Sequence, residues 1–149
     1  MLFRSFLAKM RRLQGVRKVL LLEEAWKAIA KEGMASYVRY LFKTVRKYFG
    51  EAIVVTQEVE DIISSPIVKE SIINNADCKI LLDQRKYRNK FDQIQTLLGL
   101  TDKERAQVLS INLSNDPARR YKEVFISLGG VQSAVYATEV SDEEYLVRP

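Results

Sequence analysis

Two short apolar runs, each stopped by polar residues at its carboxyl end, constrain this chain more than any other feature. Val19-Leu20-Leu21-Leu22 offers apolar side chains in both directions and stops at Glu23-Glu24. Ile53-Val54-Val55 does the same and stops at Thr56-Gln57. Strands that are apolar on both faces belong to parallel sheets covered on two sides. The stretch between them has helical periodicity, with a break near Gly33. Val38, Leu41, Phe42, Val45 and Phe49 share one face and Arg39, Lys43, Arg46 and Lys47 the other, and Gly50 reads as the stop. Strand, helix, strand in this order predicts an α/β chain with a parallel sheet.

The flanking segments extend the pattern. Leu2 to Leu13 has apolar residues at helical spacing with basic residues between them, ended by Gly15. A short helix carrying Val59, Ile62 and Ile63 is expected after Gln57, another from Pro66 to Ile73, and a third buried strand over Cys78 to Leu82. Thereafter Phe91, Ile94, Leu97 and Leu98 mark a helix ending at Gly99, and Thr101 with Glu104 forms a capping box for the next. Glu123 to Leu128 and Gln132 to Thr138 flank Gly129-Gly130, which predicts a β-hairpin. The 149 residues fit one domain, with an α/β part over 1–110 and a hairpin and tail over 118–149. The strongest boundary candidate is the loop from Asn112 to Pro117.

Composition removes several chemistries. The chain has no His and one cysteine, Cys78. A zinc site of the usual kind, a Ser-His-Asp triad, a Cys-His pair and an internal disulfide are excluded within it. A single thiol favours a reducing, cytoplasmic setting. Any general base must then be a carboxylate before Lys or Tyr. The net charge of +5 permits contact with nucleic acid or an acidic partner without demanding it. No run approaches the ~20 apolar residues of a membrane span.

An apolar strand ending in two carboxylates is a Walker B pattern. In open α/β sheets ligands sit beyond the carboxyl ends of the strands. There Glu23 can help hold hydrated Mg²⁺ on nucleotide phosphates, and Glu24 can polarise the attacking water. Taken alone, the pair reads at least as well as acids complementing the dipole of a following helix. The second strand shifts the balance, because Gln57 beyond it can contact the γ-phosphate or the water and pass that signal on.

Leu20-Leu21-Leu22-Glu23-Glu24-Ala25-Trp26, Val54-Val55-Thr56-Gln57-Glu58 and Asn75-Ala76-Asp77-Cys78-Lys79-Ile80-Leu81-Leu82 together resemble the C-terminal half of the TraG-type ATPases of conjugative transposons, within the VirB-type ATPases of type IV secretion. The resemblance runs over nearly the whole chain. It implies an incomplete RecA-like P-loop core with Glu23 as the Walker B acid near Mg²⁺, Glu24 as the catalytic carboxylate and Gln57 as the sensor. It implies ATP and Mg²⁺ as cofactors of a longer parent, neither held tightly by these residues alone. It also implies a hexamer at the cytoplasmic face of the inner membrane, working with secretion subunits to move protein or DNA. Glu23 departs from the family's more usual Asp. No Gly-x-x-x-x-Gly-Lys-Ser/Thr occurs in the sequence. In the family that loop and its strand lie upstream, so the chain is expected to be a C-terminal piece that is inactive alone. A gap is also expected between strand Ala52–Thr56 and strand Cys78–Leu82, closed up or paired between copies.

Hexameric P-loop motors complete each site with a neighbour's arginine. Arg85, Arg88, Arg119 and Arg120 are the candidates. The basic face Arg39, Lys43, Arg46 and Lys47 reads as a solvated helix surface ahead of a contact with DNA or anionic lipid. Trp26 is expected behind the Walker B turn, Cys78 as inert core, and Tyr136 with Phe125 as a cross-strand pair. The alternative is a non-catalytic docking module that uses the basic helix and the hairpin to bind secretion partners or DNA.

Overall fold

The computed structural model describes residues 8–23, 32–57, 72–113, 121–139 and 141–143. They form two compact units, 1–75 and 76–149.

The first unit is built on strands β1 (Lys18–Glu23) and β2 (Gly50–Val55), which pair in parallel from Lys18↔Gly50 to Glu23↔Val55. Helix α1 (Glu32–Thr44) lies between them in sequence and runs into a 3₁₀ turn, Val45–Tyr48. Alternation along the strands decides the packing. Leu20 and Leu22 of β1 and Ala52 and Val54 of β2 point to one side, against Val38, Leu41, Phe42 and Val45 of the helix and turn. Met10, from a helical segment over 8–12, and Ile72 complete this core. The opposite face differs from the expectation of a strand buried on both sides. Val19, Leu21, Ile53 and Val55 are exposed there, because the described residues cover only one side of the pair.

The apolar stripe of α1 holds for Val38, Leu41, Phe42 and Val45 and fails at Phe49, which is 69% exposed. The 3₁₀ turn winds more tightly than an α-helix and carries Phe49 off the apolar face. Phe49 then closes the turn in a left-handed conformation, φ 54°, its N–H donating to the Arg46 carbonyl at 3.2 Å. Gly50 opens β2 rather than ending the helix. A side chain there would place Cβ 2.7 Å from Val45 Cγ2, so the close approach of turn and strand requires glycine.

The second unit is a three-stranded antiparallel sheet in the order β3-β4-β5, with β3 (Cys78–Leu81), β4 (Tyr121–Leu128) and β5 (Gln132–Glu139). The third strand is thus not paired in parallel with the first two. It runs antiparallel to β4, Cys78 opposite Leu128 and Leu81 opposite Phe125. No pairing joins β2 to β3 among the described residues. Gly129 and Gly130, both at positive φ, sit centrally in a turn closed by the bond from Val131 N–H to the Leu128 carbonyl, 3.0 Å. Both φ values lie where glycine carries no Cβ penalty, and the loop Gly129 to Val131 joins Leu128 to its ladder partner Gln132.

Between β3 and β4 lie a 3₁₀ segment (Arg85–Lys90), α2 (Phe91–Leu98) and α3 (Asp102–Ser110). Phe91, Val108, Ile111 and Phe125 are fully buried. The predicted capping box at α3 is present, with Thr101 and Glu104 satisfying each other's backbone N–H groups. The expected Tyr136–Phe125 pair is not. Phe125 faces Val135 across the ladder on the helix side, and Tyr136 faces Val124 on the outer side, because neighbouring positions of a strand point opposite ways. Cys78 is exposed on that outer side rather than in the core.

The boundary between units falls after Asn75, not at Asn112 to Pro117. Polar bonds across that stretch hold the helices to the hairpin. Asn112 N–H donates to the Glu123 carboxylate at 2.6 Å, and Glu123 N–H donates back to Asn112 Oδ1 at 3.0 Å. Ser127 of β4 donates to Glu104 of α3.

Candidate functional site

The parallel register of β1 and β2 places their carboxyl ends side by side. Glu23 is the last residue of β1, opposite Val55, the last of β2. Gln57 lies two residues beyond Val55, in a bend. Both are exposed. The strands themselves deliver them: each core is pinned by inward side chains, Leu20 and Leu22 or Ala52 and Val54, so the next residues emerge at a fixed edge. Of the predicted site residues, these two lie at the same carboxyl edge. Glu24 and Trp26 lie outside the described residues, as do Arg119 and Arg120.

The donors described at this edge are one carboxylate, Glu23, and one amide, Gln57. No cluster of three or more metal-ligating side chains occurs among the described residues. Mg²⁺ on nucleotide phosphates needs one or two carboxylates, with phosphate and water oxygens filling the rest. A strand-end carboxylate such as Glu23 fits that requirement and would not retain a metal unaided.

Arg85 and Arg88 belong to the second unit. Arg85 is held by its own chain, with Nε 2.9 and 2.8 Å from the two Asp83 carboxylate oxygens. This hydrogen bonding holds the Asp83 carboxyl below its ordinary value, aided by Asn112, although burial opposes the shift. Arg88 is exposed on the 3₁₀ segment and has no ion pair among the described residues. Of the two, Arg85 is the one held by a carboxylate of its own chain.

Glu104 was legible in the sequence only as a helix cap. It is 5% exposed, and its second oxygen accepts from the Ser127 hydroxyl at 2.8 Å. Burial raises its pKa, but Thr101 N–H, the Ser127 and Thr101 hydroxyls and the charge of Lys79 outweigh that and hold the carboxyl below its ordinary value. The contact spans chain positions no local spacing links. This cluster supports the fold of the second unit, joining α3 to β4.

The TraG P-loop domain family matches residues 1–148. The chain is 33% identical over 92 residues to the type IV secretion system protein CagE of Helicobacter pylori (strain ATCC 700392 / 26695), covering 62% of this chain and 9% of that protein. Its fold is similar to that of VirB4 of Thermoanaerobacter pseudethanolicus, with a TM-score of 0.66 and 25% identity, over 95% of this chain and 36% of the other. It therefore spans a small part of the one relative and about a third of the other. The α/β fold and these matches agree: the chain belongs to the TraG P-loop domain family.

Proposed function

We propose that these residues form the Walker B and sensor end of an ATP-hydrolysing core that drives type IV secretion or conjugative transfer. The observation that carries this reading is the emergence of Glu23 and Gln57 at the shared carboxyl edge of two parallel strands. Mg²⁺, when bound with ATP, neutralises charge on the phosphate oxygens. Glu23 holds that ion. Glu24 orients and polarises the attacking water, and Gln57 responds to the γ-phosphate. Arg88 is the candidate for the charge supplied to a neighbouring subunit of a hexamer.

The 149 residues contain no phosphate loop, so they are expected to hydrolyse ATP negligibly by themselves. The working assembly partners other secretion subunits at the cytoplasmic face of the inner membrane. The test is ATP hydrolysis by a protein in which a phosphate loop precedes these residues, with and without Glu24→Gln. Loss of a general base should lower the rate by ~10²-fold or more. An inactive oligomer, or a Glu24→Gln protein as fast as its parent, would refute the catalytic assignment.

One observation favours a second reading, a non-catalytic docking module for secretion partners or DNA. The outer face of the hairpin sheet carries exposed apolar residues, Ile80, Leu128 and Tyr136. The same assay separates the two, since a docking module gains no activity from a phosphate loop.

A further inference from the structure

The end of the first unit opposite Glu23 and Gln57 carries a different chemistry. Residues 8–22 and 33–50 contain nine Lys or Arg and no Asp or Glu. The fold gathers many of these cations at the amino edge of the β1–β2 pair, where the 8–12 helical segment ends, α1 ends and both strands begin. Arg17 is ion-paired to Glu51. Arg11 is fixed in place, donating to Tyr40 Oη at 2.8 Å with its guanidinium 5.8 Å from the Tyr48 ring centre. Arg12, Lys43 and Lys47 are exposed around them.

Cations at a helix C-terminus complement its dipole, which accounts for Lys43 and Lys47 without any ligand. It does not account for what they surround. Leu13, Val16 and Phe49 project from the same edge at 42, 52 and 69% exposure. The bond from Lys18 N–H to the Phe49 carbonyl, 2.9 Å, ties the Phe49 turn to the strand entry that follows Val16. Phe49 also stands at φ 54°, a conformation costly for an aromatic residue and cheap for Gly or Asn. A bulky apolar ring held there in solvent benefits neither the core nor the turn.

We infer that this edge is a docking surface for an anionic lipid bilayer, with Phe49, Leu13 and Val16 entering the headgroup boundary and the surrounding Lys and Arg side chains meeting lipid phosphates. An apolar tip in a basic rim is the arrangement that binds such interfaces. Leu13 and Val16 beside Phe49 are branched aliphatic and favour hydrocarbon over nucleobases, which stack on aromatic faces. The surface lies one strand length, about 17 Å at the usual rise per residue, from the carboxyl edge, so a docked unit turns Glu23 and Gln57 away from the bilayer. The inference deepens the membrane placement proposed above. It is measured without nucleotide, so its failure and that of the ATPase reading are separate results.

The test is flotation of the full chain with phosphatidylcholine vesicles, with and without phosphatidylglycerol. Binding is expected only to the anionic vesicles and should weaken as salt rises. Lys43→Gln with Lys47→Gln should weaken it about fivefold for each charge removed. Phe49→Asn keeps a residue suited to the left-handed turn and should weaken vesicle binding about tenfold while leaving the unfolding midpoint unchanged or higher. Leu13→Ser, on a separate segment, should act in the same direction. Equal binding to neutral vesicles would overturn the inference. So would vesicle binding that depends on the lysines but not on Phe49 and Leu13, or binding of short DNA without binding of vesicles.

Discussion

Glu104 and Ser127 make the most sharply testable structural claim in the second unit. Both are buried, 5 and 3% exposed, and one carboxylate serves two elements at once. One oxygen accepts from Thr101 N–H at 2.8 Å and from the Thr101 hydroxyl at 3.0 Å, closing the start of α3. The other accepts from Ser127 of β4 at 2.8 Å. Glu104→Ala removes a reciprocal cap contribution of about 1 kcal/mol and a hydrogen bond to a charged acceptor of about 1.5–3 kcal/mol. It also strands a buried hydroxyl. The expected loss is about 3 kcal/mol. Ser127→Ala removes only the cross-element bond and should cost about 1–2 kcal/mol. The diagnostic quantity is the coupling in a double-mutant cycle, expected at about 1–2 kcal/mol because each single change already breaks the shared bond. Urea denaturation followed by circular dichroism gives the four stabilities, and amide exchange along α3 localises the loss. A coupling below about 0.5 kcal/mol would refute the reasoning. It would mean that Glu104 acts as a helix cap alone and that Ser127 contributes nothing to joining helix and sheet.

Two further outcomes follow from the same physics. Gly50→Ala should destabilise the first unit by about 1–3 kcal/mol, because the new methyl would meet Val45 Cγ2 at 2.7 Å and the Val45 carbonyl at 3.1 Å. Urea unfolding checks this, and a neutral result would mean that the 3₁₀ turn moves freely. Asp83 and Glu104 both have carboxyls held below their ordinary values of 3.8 and 4.5. A depressed folded-state pKa contributes stability that is complete above the unfolded value and is lost as pH falls through the folded one. The second unit should therefore keep this contribution above about pH 5 and lose it on acidification below the ordinary carboxylate range. Asp83→Asn with Glu104→Gln should flatten that acid limb, and an unchanged limb would place its origin in other carboxylates.

What could be read from the sequence was set by local chemistry. The apolar run of β1, the Thr101–Glu104 box and the Gly129-Gly130 turn each operate over a few residues, and each element appears where its pattern placed it, although β1 is covered on one face rather than two. The strand-end position of Glu23 was legible for the same reason, because an apolar run fixes where a strand stops. What local patterns could not supply was pairing between distant segments. Cys78–Leu81 is equally apolar whether it lies parallel to β2 or antiparallel to β4, and only the contact with Tyr121–Leu128 decides. The same gap hid Ser127 as the partner of Glu104. Phe49 failed for another reason. It sits on the right face if the helix keeps its α period, and four residues of 3₁₀ winding are enough to move it. That failure separates two kinds of apolar residue in the first unit. Val38, Leu41, Phe42 and Val45 satisfy the helical pattern and the core together. Phe49 satisfies neither, yet occupies a position where glycine would fit the backbone better. A residue that opposes its local rule needs a reason elsewhere. At the amino edge of β1 and β2 the reason proposed above is a surface, as at the carboxyl edge the reason proposed for two exposed polar residues at the strand ends is a ligand. The same parallel pair supplies both edges, and its one-directional register keeps them apart.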